Sequence, residues 1–364
     1  MAYTGAGVGT IGRVNGPIRG RFLRFFKQLG HGFLAPQGLK LGKIAQTIAS
    51  LFMPTPLHTK IAQRQAGILL YGITPPKANH PAEKIAEIAA LQVERIAPLP
   101  IDGLVLYDIQ DEAERTDVAR PFPFLATLDP LTYSRDYLAA LPIPKINYRC
   151  VGKYAPAQFG ADLQALGEGV SVFVGAASRE QAVALTVNQA YALRREVNPR
   201  LLVGGVAIPE RHLVKQDEHL RVAHKVAEGC SFFVTQCVYN VEAAKNFLSD
   251  YYYACQVSGT PMVPIIFTIT PCGSAKTLEF MKWLGISIPQ WLENDLRHSG
   301  DILADSLAVC RSIFSELLQY AAAKQIPIGC NVESVAIRKD EIEASLQLVR
   351  DIAAMFAAQE ATCA

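Results

Sequence analysis

From residue 67 onward the chain repeats one pattern. A short apolar run rich in Val, Ile and Phe is followed by a longer segment whose apolar positions recur every three to four residues. The runs predict strands over 67–73, 103–107, 145–149, 171–174, 201–206, 231–235, 263–268 and 329–332. The longer segments predict helices over 81–96, 131–141, 157–166, 178–195, 218–227, 241–257, 274–284 and 340–356, with a further long helix over 303–323. Eight strand–helix units in series favour a closed parallel barrel. An open doubly wound sheet would carry a glycine turn for phosphate after its first strand, and none is present. The expectation is a single (β/α)8 TIM-type barrel over 66–357, a basic N-terminal extension over 1–65 and a short tail over 358–364.

Charge separates the extension from the barrel. Ten Lys/Arg residues precede Glu83, the first acidic residue, which leaves 25 basic against 33 acidic residues from there on. The arm is Gly-rich, basic and aromatic, the composition of a mitochondrial targeting sequence. It also suits a membrane-surface or nucleic-acid arm, or an arm laid across partner subunits. A Gly-rich segment buries too little of its own surface to order itself, which favours partner subunits. The Gly5–Gly9 run follows no strand and is not a dinucleotide fingerprint.

Hydrophobic content of 50% and charged content of 19% supply a large core, and no apolar run reaches the ~18 residues that suggest a membrane span. The eight cysteines are scattered, with no Cys-x-x-Cys pair and no Cys/His cluster. This predicts a reducing compartment and no metal site.

In a barrel the chemistry collects just after each strand. The polar residues there are Thr74, Asp108, Gln110, Asp111, Arg149, Glu210, His212, Gln236, Asn240, Thr268, Thr270, Asn331 and Glu333. Any one of them is more simply a helix cap or a loop hydrogen-bonding group.

The first strand ends in Tyr71-Gly-Ile-Thr-Pro75-Pro76-Lys77, and the fifth runs into Ala207-Ile-Pro209-Glu210-Arg-His212. Lys225-Val-Ala-Glu-Gly229 leads to Thr235-Gln236. Together with 263–271 and 285–289, these segments resemble the methylenetetrahydrofolate reductase family, flavoprotein barrels that use a nicotinamide cofactor to reduce a folate-bound methylene group. The resemblance implies FAD as the cofactor, if any is bound, folate and NAD(P)H as possible small-molecule partners, and Glu210, His212, Lys225 and Gln236 as cofactor-binding residues.

The departures fall on the chemistry. The family's catalytic glutamate position is Gly72, which has no group to donate a proton. The Arg-Gly-Asp that tunes the flavin reads Val174-Gly175-Ala176, and the third-strand His-x-x-Cys reads Asn147-x-x-Cys150. The resemblance therefore implies a reductase-like barrel that has lost its chemistry and serves as an accessory subunit of a larger mitochondrial assembly, attached through its arm. The alternative is an active, divergent cytoplasmic or mitochondrial reductase in which Asp108, Asp111 or Glu333 replaces the missing acid.

Overall fold

A computed structural model describes residues 56–111, 118–176 and 182–363. The chain divides after Met53, and all the described residues belong to the second unit. Residues 1–55 of the N-terminal extension lie outside them.

Eight parallel strands close into a barrel in sequence order, β1 pairing with both β2 and β8. They are β1 Leu69–Ile73, β2 Gly103–Leu106, β3 Lys145–Cys150, β4 Val170–Val174, β5 Leu202–Ala207, β6 Cys230–Cys237, β7 Ile265–Ile269 and β8 Ile328–Glu333. All eight expected strands form, with ends shifted by two residues at most. The helices are α1 Pro56–Ala62, α2 Ala82–Ile96, α3 Pro130–Asp136, α4 Pro156–Ala165, α5 Val187–Val197, α6 Pro209–Lys215, α7 Glu218–Ala227, α8 Val241–Ser258, α9 Ala275–Trp283, α10 Gln290–His298, α11 Ile302–Lys324 and α12 Lys339–Cys363.

Successive strand residues face opposite sides of the wall, so the core has two layers. Leu70, Val105, Ile146, Val172, Phe232 and Ile266 fill the lumen. A larger cluster, including Leu104, Phe173, Phe233 and Phe267, packs beneath the helices. The bottom of the lumen is plugged by α1, whose Leu57 and Ile61 are buried in the inner cluster. Lys60 fixes the plug by donating to Asp102 at 2.8 Å and to the Gly67 carbonyl at 3.0 Å. A Cβ on Gly103 would lie 2.8 Å from Leu57 Cδ2, so the glycine admits the plug.

Helix ends follow local chemistry. Asp129 caps α3, Asn240 caps α8 and Ser274 caps α9. A capping box between Thr186 and Gln189 starts α5 at Val187, well after the expected start at 178. The pattern over 131–141 overran α3, which ends at Asp136 before a turn. Helices α1, α6 and α10 were not anticipated, being only seven to nine residues long. Helix α12 runs on through the stretch read as a tail. No described helix is long and apolar enough to cross a membrane.

Candidate functional site

The C-terminal mouth of the barrel holds one connected polar group. Gly72 of β1 stands in register with Glu333 of β8. A Cβ on Gly72 would lie 2.8 Å from Tyr107 Cε2 and 2.9 Å from its hydroxyl oxygen. The Tyr107 ring, just past the end of β2, thus occupies the space of the absent first-strand side chain. Its hydroxyl accepts from Asn331 Nδ2 at 2.8 Å and donates to the Glu333 carboxylate. Asn331 Nδ2 also donates to Thr268 Oγ1 at 3.1 Å, while its Oδ1 is buried without a partner. Tyr148 meets Tyr107 edge-to-face with centroids 4.9 Å apart.

Burial pushes the Glu333 carboxyl from its ordinary 4.5 up to about 7, with the Tyr107 hydrogen bond working the other way. A carboxyl in that range is present in both forms near neutrality. Glu333 as a whole residue is half-buried.

Asp108 is committed elsewhere. Its Oδ2 accepts from the Cys150 amide at 2.7 Å and the Tyr154 hydroxyl at 2.8 Å, and Lys153 pairs with its Oδ1. Arg149 lies on the helix side of β3, fully buried. It pairs with Asp129 at 2.6 Å and with Asp162, and its guanidinium sits 4.0 Å from the Tyr154 ring centroid. Burial would raise the Asp129 carboxyl, but Arg149 and the α3 amides outweigh it and hold the carboxyl below its usual value. These residues tie the β2 and β3 ends to α3 and α4. Gln110 donates to the Gly175 carbonyl at 3.1 Å, and Thr270 Oγ1 donates to the Glu333 carbonyl at 2.8 Å, bracing the rim.

The four residues expected to bind a cofactor lie on α6, α7 and β6. Glu210, in the first turn of α6, is buried with both carboxylate oxygens unpartnered, and burial raises it to about 8. His212 Nε2 lies 3.0 Å from Asp250 Oδ2 of α8. Lys225 lies between α7 and the β5–β6 pair. Its Nζ donates to the Val206 carbonyl at 2.6 Å, and burial lowers its pKa. Gln236 donates to the Leu284 carbonyl at 2.8 Å, joining β6 to the end of α9. Of the three acids considered as replacements for the glutamate, only Glu333 is in register with Gly72. Sequence reasoning missed Tyr107 and Tyr148. The available signal was a bulky aromatic one strand away from a glycine.

A family model for methylenetetrahydrofolate reductase matches residues 176–326. A solved structure of an uncharacterized protein from Clostridium thermocellum, which binds two copies of 5-methyl-5,6,7,8-tetrahydrofolic acid, is 55% identical. It covers 82% of this chain and 99% of its own, with a TM-score of 0.74.

The chain belongs to the methylenetetrahydrofolate reductase family.

Two other solved structures are similar at a much lower level. A 2,3-dimethylmalate lyase is 13% identical, covering 85% of this chain and 98% of its own with a TM-score of 0.37. A xylanase from Paenibacillus barcinonensis is 10% identical, covering 78% and 87% with a TM-score of 0.42. Neither carries an argument about activity. No curated protein matches the sequence. The chain carries Gly72 on β1, with Glu333 in register beside it on β8.

Proposed function

We propose that this barrel binds a reduced folate of the 5-methyltetrahydrofolate class at its C-terminal mouth, with Glu333 as the residue that recognises the pterin. The observation that carries the reading is the Glu333–Tyr107–Asn331 group beside Gly72. The pyrimidine edge of a reduced pterin presents an amino group and a ring N–H side by side. A carboxylate accepts from both, and such charge-assisted pairs are the stronger hydrogen bonds. Tyr107 and Tyr148 offer aromatic surface beside it. The reading is supported by the 55% identical relative, which binds methyltetrahydrofolate.

The same residues favour binding over flavin-dependent reduction. Val174-Gly175-Ala176 offers no charged side chain to a flavin. Among the expected cofactor residues, Lys225 and Gln236 are already hydrogen-bonded to backbone carbonyls. The barrel is therefore read as a folate-binding subunit rather than a working reductase. The basic arm, cut back to residues 1–53 because the barrel unit begins at Pro54, is read as its attachment to a partner, and a mitochondrial assembly fits its composition.

One observation favours a second reading, an active reductase. Glu333, raised to about 7, has the acidity of a general acid near neutrality. The test is the purified full chain, examined for flavin absorption in the visible and then assayed with NADH or NADPH, added FAD and methylenetetrahydrofolate. The binding reading expects no flavin and no turnover, together with a rise in Tm on adding 5-methyltetrahydrofolate. Turnover that Glu333→Gln abolishes would establish the second reading. Absence of any Tm rise would remove the first.

A further inference from the structure

Away from the lumen, three helices bring metal-ligating side chains together. His212 comes from α6, His219 from the first turn of α7 and Asp250 from α8. One ligand atom from each lies within 4.8 Å of the others. His212 Nε2 and Asp250 Oδ2 are already 3.0 Å apart, close to the spacing of neighbouring ligands around a tetrahedral ion with bonds of about 2.0–2.2 Å. The two imidazoles meet edge-to-face with centroids 5.3 Å apart.

A histidine–carboxylate hydrogen bond alone accounts for only part of this. The Nδ1 atoms of both His212 and His219 are buried with no hydrogen-bond partner. Buried polar atoms without partners are uncommon and costly. His212 faces Asp250 through Nε2, so one ion there can relieve only the His219 Nδ1; that buried orphan, beside a carboxylate whose side chain is 52% exposed, marks room for an occupant with a route in from solvent. The positive side chains nearby are engaged elsewhere. Arg211 and Arg221 both pair with Glu218, at 3.2 Å and 3.4 Å, and Lys245 pairs with Glu316. None of them supplies the Asp250 carboxylate with a counter-charge.

We propose that His212, His219 and Asp250 form a site for a divalent transition metal of the zinc class, clamping α6, α7 and α8 together beside the ends of β5 and β6. Two imidazoles and one carboxylate suit zinc, cobalt or nickel better than magnesium or calcium, which prefer oxygen ligands. The remaining position is open to water. The short α6, only seven residues long, would then be held by the ion as well as by its packing.

The test is calorimetric titration of the chelator-treated full chain with Zn2+, alongside Co2+ titration followed by visible absorption. The expected result is one ion per chain, a tetrahedral Co2+ spectrum and no response to Mg2+. His219→Ala should abolish the Co2+ spectrum and weaken Zn2+ binding by at least about tenfold, one ligand of three being lost. Asp250→Asn should weaken it similarly. Circular dichroism establishes that each variant is folded. Zn2+ binding that is absent in the full chain, or unchanged in both folded variants, overturns the site.

Discussion

Gly72 of β1 and Glu333 of β8 lie side by side in the barrel register, and the Tyr107 ring covers the glycine where a side chain would otherwise stand. The mouth thus carries an acid on its last strand and, beside it, a tyrosine ring over the first-strand glycine. The three positions should behave as one unit.

Restoring the acid alone should therefore fail. Gly72→Glu would drive its Cβ into a ring 2.8 Å away, and overpacking of this kind costs about 1–3 kcal/mol. Tyr107→Ala in the same chain should recover part of that loss. Denaturant unfolding of the two single variants and the double variant measures the coupling. Additive effects would mean that the residues do not share the space.

The pH dependence of stability has a definite sign. Glu333 and Glu210 are raised from 4.5 to about 7 and about 8 in the folded chain. Each raised carboxyl contributes stability that is fully present below pH 4.5 and is lost as pH rises through 7 to 8. Glu333→Gln, which keeps the shape without the charge, should raise Tm more at pH 8 than at pH 5. An equal shift at both values would indicate that Glu333 titrates normally.

Arg149 tests the wall around the site. It is 1% exposed and paired with two carboxylates. Arg149→Met should leave Asp129 and Asp162 facing an uncharged side chain, a loss of about 3–5 kcal/mol for a broken buried pair. Urea unfolding reads this directly. A loss below about 1 kcal/mol would show that the network contributes little.

Much of this architecture was legible in the sequence. Strand cores such as Gly103–Leu106 are continuously apolar because both faces of a parallel barrel are covered, and such runs made the strands visible. Short helices such as α6 carry too few turns to show a period. The site was legible only in pieces. Glu333, Asn331 and Thr268 were visible as polar residues near strand ends. Their connection depends on the closure of β8 onto β1, which joins residues far apart in the chain. Tyr107 reads as an ordinary apolar residue until its ring is found over Gly72. The reverse holds for Asp108 and Lys225. Both look like chemistry in the sequence, and both are occupied in the fold by holding neighbouring elements together.

The plug gives a boundary for separating arm from barrel. Leu57 and Ile61 are buried in the lumen's lower layer. A chain beginning at Pro54 should keep the stability and folate binding of the full chain, because the barrel unit begins there. A chain beginning at Gln65 loses both side chains and should unfold at lower denaturant, each buried Leu or Ile being worth about 2–5 kcal/mol. Equal midpoints for the two chains would show that α1 is dispensable. Pull-down of partners by the full chain but not by the Pro54 chain would assign attachment to the arm.

The central claim is that Glu333 holds a reduced pterin at the mouth. Calorimetric titration of the full chain with 5-methyltetrahydrofolate, beside Glu333→Gln at pH 6 and pH 8, tests it most directly. Loss of a charge-assisted pair worth about 1.5–3 kcal/mol predicts that the variant binds roughly 10- to 100-fold more weakly at pH 8. The full chain should bind more tightly at pH 8 than at pH 6, because the carboxylate form that accepts from the pterin predominates only above about 7. Binding by the variant equal to that of the full chain at both pH values would contradict the account.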